Sequence, residues 1–136
     1  MRRWAPLLLL AACADSPAPP PANATTAGVP AAVVTRFDGA WSGTATRSLG
    51  RDAECGPVSR PARMDVVRGR ATGTLPGGLG QSASEGAGTV TPDGSLVLRS
   101  RLDAALRAEG SFGERSFTAR FVTRACAWTI TLNRAG

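Results

Sequence analysis

Leu102-Asp103-Ala104-Ala105-Leu106-Arg107-Ala108-Glu109-Gly110-Ser111-Phe112 is the stretch whose period decides the fold. Leu102, Ala104, Leu106, Ala108, Gly110 and Phe112 alternate with Arg101, Asp103, Ala105, Arg107 and Glu109, giving one apolar and one charged face at a period of two. A helix is the competing reading, because Leu98, Leu102 and Leu106 recur every four residues and Ser100 is placed to cap. The alternation predicts a strand near 102 to 111.

The same period extends outward from this stretch. Phe117, Ala119 and Phe121 alternate with Thr118 and Arg120, and Cys126, Trp128, Ile130 and Leu132 with Ala127, Thr129 and Thr131. Short turn signals separate the apolar runs: Arg68-Gly69-Arg70, Pro92-Asp93-Gly94 and Phe112-Gly113-Glu114. Strands are expected near 39 to 46, 62 to 68, 70 to 75, 84 to 91, 95 to 100, 102 to 111, 115 to 123 and 126 to 133. An all-β antiparallel meander of eight strands removes its open edges most simply by closing as a small barrel; a two-sheet β-sandwich is the alternative. Ala45, Ala62, Ala71, Ala87 and Ala108 are expected to point inward beside Trp41, Met64, Val66, Leu96 and Leu98. So many small residues either leave a ligand cavity or let the barrel collapse and pack solid, and the scarcity of large aromatics favours collapse.

The chain starts differently. Arg2 and Arg3 precede an apolar run from Trp4 to Ala12, which is about half the length a membrane-spanning helix needs. Leu10-Ala11-Ala12-Cys13 resembles the lipobox of bacterial lipoproteins. The resemblance implies a signal peptide over 1–12 removed by signal peptidase II, with Cys13 acylated and the protein anchored to a membrane. Two or three acyl chains hold a protein firmly, at about 0.8 kcal/mol per buried methylene. Ala14 after the cysteine, in place of the Asp that favours inner-membrane retention in some lineages, points to the outer membrane facing the periplasm. Residues 13–32 form an acylated cysteine and a Pro/Ala-rich linker, including Ala18-Pro19-Pro20-Pro21-Ala22, too poor in bulky apolar side chains to fold. The domain is assigned to 33–136. In the oxidising compartment that this resemblance implies, Cys55 and Cys126 are expected to bond, with two buried free thiols as the alternative.

Charge excludes less than it suggests. All 16 basic residues are Arg, and without Arg2 and Arg3 they face 10 acidic residues, a formal +4. The arginines are spread along the chain and are not interleaved with stacking aromatics, so no nucleic-acid partner is expected. The catalytic inventory is thin. There is no His or Lys for a triad, a Schiff base or a phosphate loop, and no metal or other cofactor is expected. Pro76-Gly77-Gly78-Leu79-Gly80 lacks a following Lys and reads as a hairpin loop, and Asp52 and Glu54 beside Arg51 read as a solvated turn. No catalytic residue is assigned, and the chain is not expected to be an enzyme.

Phe37-Asp38-Gly39-Ala40-Trp41-Ser42-Gly43, followed by Cys55, Gly-rich hairpins and Cys126-Ala127-Trp128, resembles small lipoproteins common in alphaproteobacteria, a family that supplies no activity. Gly39-Ala40-Trp41 is also similar to the G-x-W opening of calycin barrels such as lipocalins and avidins. That resemblance implies an Arg near the last strand packed over the Trp, a place Arg134 can take. The resulting expectation is a lipid-anchored envelope domain that binds an envelope protein or glycan through the loop from Arg47 to Arg60. A small-ligand carrier of the calycin kind and a purely structural envelope lipoprotein are the alternatives.

Overall fold

The computed structural model describes residues 32–77 and 83–136. Cys13, the signal segment 1–12, the linker up to residue 31 and residues 78–80 of the Gly-rich loop lie outside the described residues. The strands are β1 (Gly39–Leu49), β2 (Ser59–Val67), β3 (Arg70–Leu75), β4 (Ser84–Thr89), β5 (Ser95–Ser100), β6 (Arg107–Phe112), β7 (Ser116–Val122) and β8 (Ala127–Arg134). One short helix, α1 (Asp52–Cys55), interrupts the β1–β2 loop. Each strand pairs antiparallel with the next, and β8 returns to β1 from Trp41↔Arg134 to Leu49↔Ala127, with a register shift between Arg47 and Leu49. The sheet is therefore a closed barrel, not a sandwich, and among the described residues every strand has a partner on both sides.

Alternation fills the inside. Trp41, Met64, Val66, Leu75, Leu96, Leu98, Phe117, Phe121, Trp128, Ile130 and Leu132 are all buried, together with Ala45, Ala62, Ala71, Ala108 and Ala119. Inward glycines let neighbouring strands and aliphatic side chains close up. A Cβ on Gly110 would lie 2.4 Å from the Thr118 carbonyl oxygen and 2.5 Å from the Ala119 Cβ, so β6 and β7 approach each other more closely there than any side chain permits.

Two expectations are corrected by the strand boundaries. The strand placed near 102 to 111 begins only at Arg107, and residues 101–106 form a turn in which Leu102 is 85% exposed. Ser100 Oγ accepts from the Leu102 and Asp103 N–H groups, and the Asp103 carboxylate accepts from that of Ala105. These short side chains satisfy the backbone locally and outcompete both the ladder and the helix. Only Leu106 of this stretch packs on the core. Ala87, expected inward, pairs with Thr72 and Arg99 on the outer face, and Gly86 takes the inward position. The reason is steric: a Cβ at Gly86 would stand 2.9 Å from Leu75 Cδ1.

The two ends of the barrel differ. One carries tight turns at Arg68-Gly69, at residues 90–94 and at residues 113–115, along with the incoming segment before β1. The other carries the β1–β2, β3–β4, β5–β6 and β7–β8 loops.

Candidate functional site

The β1–β2 loop at the loop end is fixed by four devices. Cys55 and Cys126 are joined by a disulfide across 71 positions, tying α1 to the start of β8. Arg47, whose side chain is 9% exposed, donates to the Gly56 carbonyl oxygen and pairs with Asp52. The Arg47 N–H donates to the Val58 carbonyl oxygen at 2.7 Å. Arg60 lays its guanidinium over Trp128, 5.4 Å from the ring centroid, and donates from Nη2 to the Cys55 carbonyl oxygen at 3.1 Å. Gly56, at φ 75°, leaves the space this guanidinium occupies, since a Cβ would meet Nη2 at 2.2 Å. The Arg60 Nε is buried without a hydrogen-bond partner among the described residues.

What this framework presents outward is partly apolar. Leu49 is 66% exposed, Val58 51%, Leu102 85% and Val122 48%, and all four sit at the loop end. Leu49 and Val122 both lie in register with Ala127, so they flank it on the barrel wall. Val33, at 61%, and Val67, at 65%, are exposed at the turn end, so it is the placement of Leu49 and Val122 on either side of Ala127 that distinguishes the loop end.

Trp41 and Arg134 meet at the opposite end. They are register partners of β1 and β8, and the guanidinium lies 5.5 Å from the indole centroid. Trp41 Nε1 donates to the Phe37 carbonyl oxygen at 3.0 Å, while Arg134 donates to the carbonyl oxygens of Arg36 and Asp38. Phe37 stacks on Phe112 with centroids 4.7 Å apart, so the segment before β1 lies across this end of the core. The Asp38 carboxylate completes the closure by accepting from the N–H groups of Arg68 and Gly69. This arrangement ties the last strand and the β2–β3 turn to the segment before β1.

Asp93 is the carboxylate with a distinct environment: hydrogen bonds from the Thr91 hydroxyl, then from the Ser95 hydroxyl and N–H, lower its pKa to about 2. It stays ionised inside a turn, which suits a structural anchor and not a proton carrier. Asp52 and Glu54 belong to α1 and not to a simple turn, and Asp52 is occupied by Arg47. Among the described residues no three His, Cys, Asp or Glu side chains gather as metal ligands.

Sequence reasoning missed the clamping roles of Arg47 and Arg60 and the carboxylate of Asp38. The partners of Asp38 lie 30 and 31 positions away, while Arg47 and Arg60 find theirs five to nine positions away only once α1 and the disulfide have shaped the loop between them. It also missed an arginine face on the outer wall of β5, β6 and β7, whose only trace in the sequence is Arg99, Arg107 and Arg120 at outward strand positions. Comparison with protein-family models, with curated proteins and with solved structures finds no match for this chain.

Proposed function

We propose that this protein is a lipid-anchored cell-envelope barrel, acylated at Cys13, that docks another envelope protein or a glycan through its loop end without catalysing a reaction. The observation that carries this reading is polarity along the barrel axis. The chain enters the barrel at the turn end, where Val34 lies against Gly69, and the stapled loops with Leu49, Val58, Leu102 and Val122 lie at the other. The loop end is therefore not the end at which the chain joins the barrel. The disulfide and the two arginine clamps hold the β1–β2 loop in one shape, which lowers the ordering cost of binding. The rings and aliphatic side chains that fill the interior favour this reading over a small-ligand carrier.

The test places a photoreactive side chain at Leu49, at Val58 or, as control, at Glu114 of the turn end, in the full-length chain within its own envelope. Discrete adducts at Leu49 and Val58 but not at Glu114 are expected; equal labelling at both ends, or none, overturns the docking reading. Replacing Cys13 by Ser should release the protein from membranes, and continued membrane attachment would overturn the anchor.

A further inference from the structure

Arg107 and Glu109 on β6 and Arg120 and Val122 on β7 occupy neighbouring outward positions beside the loop end. Glu109 stands directly opposite Arg120 in the ladder, yet its Oε1 accepts from Arg107 Nε of its own strand at 2.7 Å. Arg120 consequently forms no ion pair among the described residues. On the other side of β6, Arg107 stands opposite Arg99 of β5, which forms none either. Like charges directly opposite one another disfavour strand pairing, so folding alone does not account for this set. Arg107, Glu109 and Arg120, with Ala105 and Val122, line a depression of about 400 Å³ among the described residues.

We infer that this depression receives an acidic segment of a partner protein, with Arg107 and Arg120 taking a carboxylate and Ala105 and Val122 taking an adjacent apolar side chain. The inference rests on the loop end being a docking surface and names the chemistry of what docks there. A guanidinium is planar and presents paired N–H donors that match the two oxygens of a carboxylate. Three arginines against the single Glu109 leave the face positive, and complementary charge selects partners and speeds their arrival. Glu109 holds Arg107 in place until an incoming carboxylate competes for it. The side chain of Arg107 is 52% exposed, so the attraction must weaken with salt.

The experiment uses the full-length acylated protein in zwitterionic vesicles. The probes are a fluorescent peptide of alternating Glu and Leu, the same peptide with Gln in place of Glu, and phosphatidylglycerol vesicles. The acidic peptide should bind, the Gln copy should not, and raising salt should weaken the binding. Arg107→Gln and Arg120→Gln should each weaken it about fivefold or more. Glu109→Gln should strengthen it, a direction that a folding defect would not produce. Equal binding of the Gln copy, indifference to Arg120→Gln, or preference for the anionic vesicles overturns the inference. If the acidic peptide fails while adducts at Leu49 persist in the native envelope, this inference falls and the docking reading stands. If the Leu49 adducts are absent, the docking reading itself falls.

Discussion

Arg134, near the end of the chain, donates a hydrogen bond to the main-chain oxygen of Asp38, 96 positions earlier. The same guanidinium lies over Trp41 and also reaches the Arg36 carbonyl oxygen, so one side chain ties the final strand to the segment that closes the turn end. Arg134→Ala removes charged hydrogen bonds and a cation–π contact and should cost about 2 kcal/mol in urea unfolding. Arg134→Lys keeps the charge but not the fork, and should recover less than half of that loss. A lysine variant as stable as wild type would show that charge alone suffices.

The β2–β3 hairpin is a two-residue turn with both φ angles positive, 52° at Arg68 and 70° at Gly69. A left-handed arginine is strained, and Asn-Gly is the preferred pair for this turn. Arg68→Asn should therefore stabilise the protein by about 0.5 to 1 kcal/mol. Asp38→Asn should act in the opposite sense, because its amide nitrogen would face an N–H donor where both carboxylate oxygens now accept. Thermal unfolding of the two single variants and the double variant checks the signs and the coupling.

The disulfide closes 71 positions of chain around the loop end. In the chain-entropy account, replacing both Cys55 and Cys126 by Ala should cost about 4 kcal/mol. The urea midpoint of the wild type measured under reductant should move to that of the double variant. A double variant with an unchanged midpoint would remove the disulfide from the account of stability.

Gly110 faces inward where β6 and β7 nearly touch, so Gly110→Ala has no space to enter without moving backbone. The expected loss is about 1 to 3 kcal/mol from overpacking. Ala87→Val, on the outer face, should be close to neutral, and a reversed order would contradict the register of β4 against β5.

Asp93 has its folded pKa lowered to about 2 from an ordinary 3.8, chiefly by the Thr91 hydroxyl and then by Ser95. Its contribution to stability is then present above the unfolded value and is lost as pH falls through the folded one. The carboxyl carbon resonance of Asp93 should titrate near pH 2. Asp93→Asn should lower stability at neutral pH, where the ionised carboxylate contributes, and flatten the acid side of the profile between the two values, so that variant and wild type converge below the folded value.

Fold class was legible because alternation is a local property. Trp41, Met64, Val66 and Leu96 are buried where period two places them, and the hairpins fall at Arg68-Gly69, Pro92-Asp93-Gly94 and Gly113-Glu114. The reading failed where local chemistry resembled a strand without being one. Leu102 and Ala104 alternate correctly, yet Ser100 and Asp103 capture the backbone first. At Ala87 it failed because glycine carries no hydropathy, although Gly86 decides which face is inward.

The sequence by itself determined that the domain is an eight-stranded meander with two cysteines placed far apart, since side-chain period and turn residues act over a few positions. Only the tertiary structure decided that β8 closes on β1, that Arg134 meets Asp38, and that Arg120 is left without the carboxylate opposite it. Those relations depend on register between distant segments, and register is set when all eight strands pack one shared core.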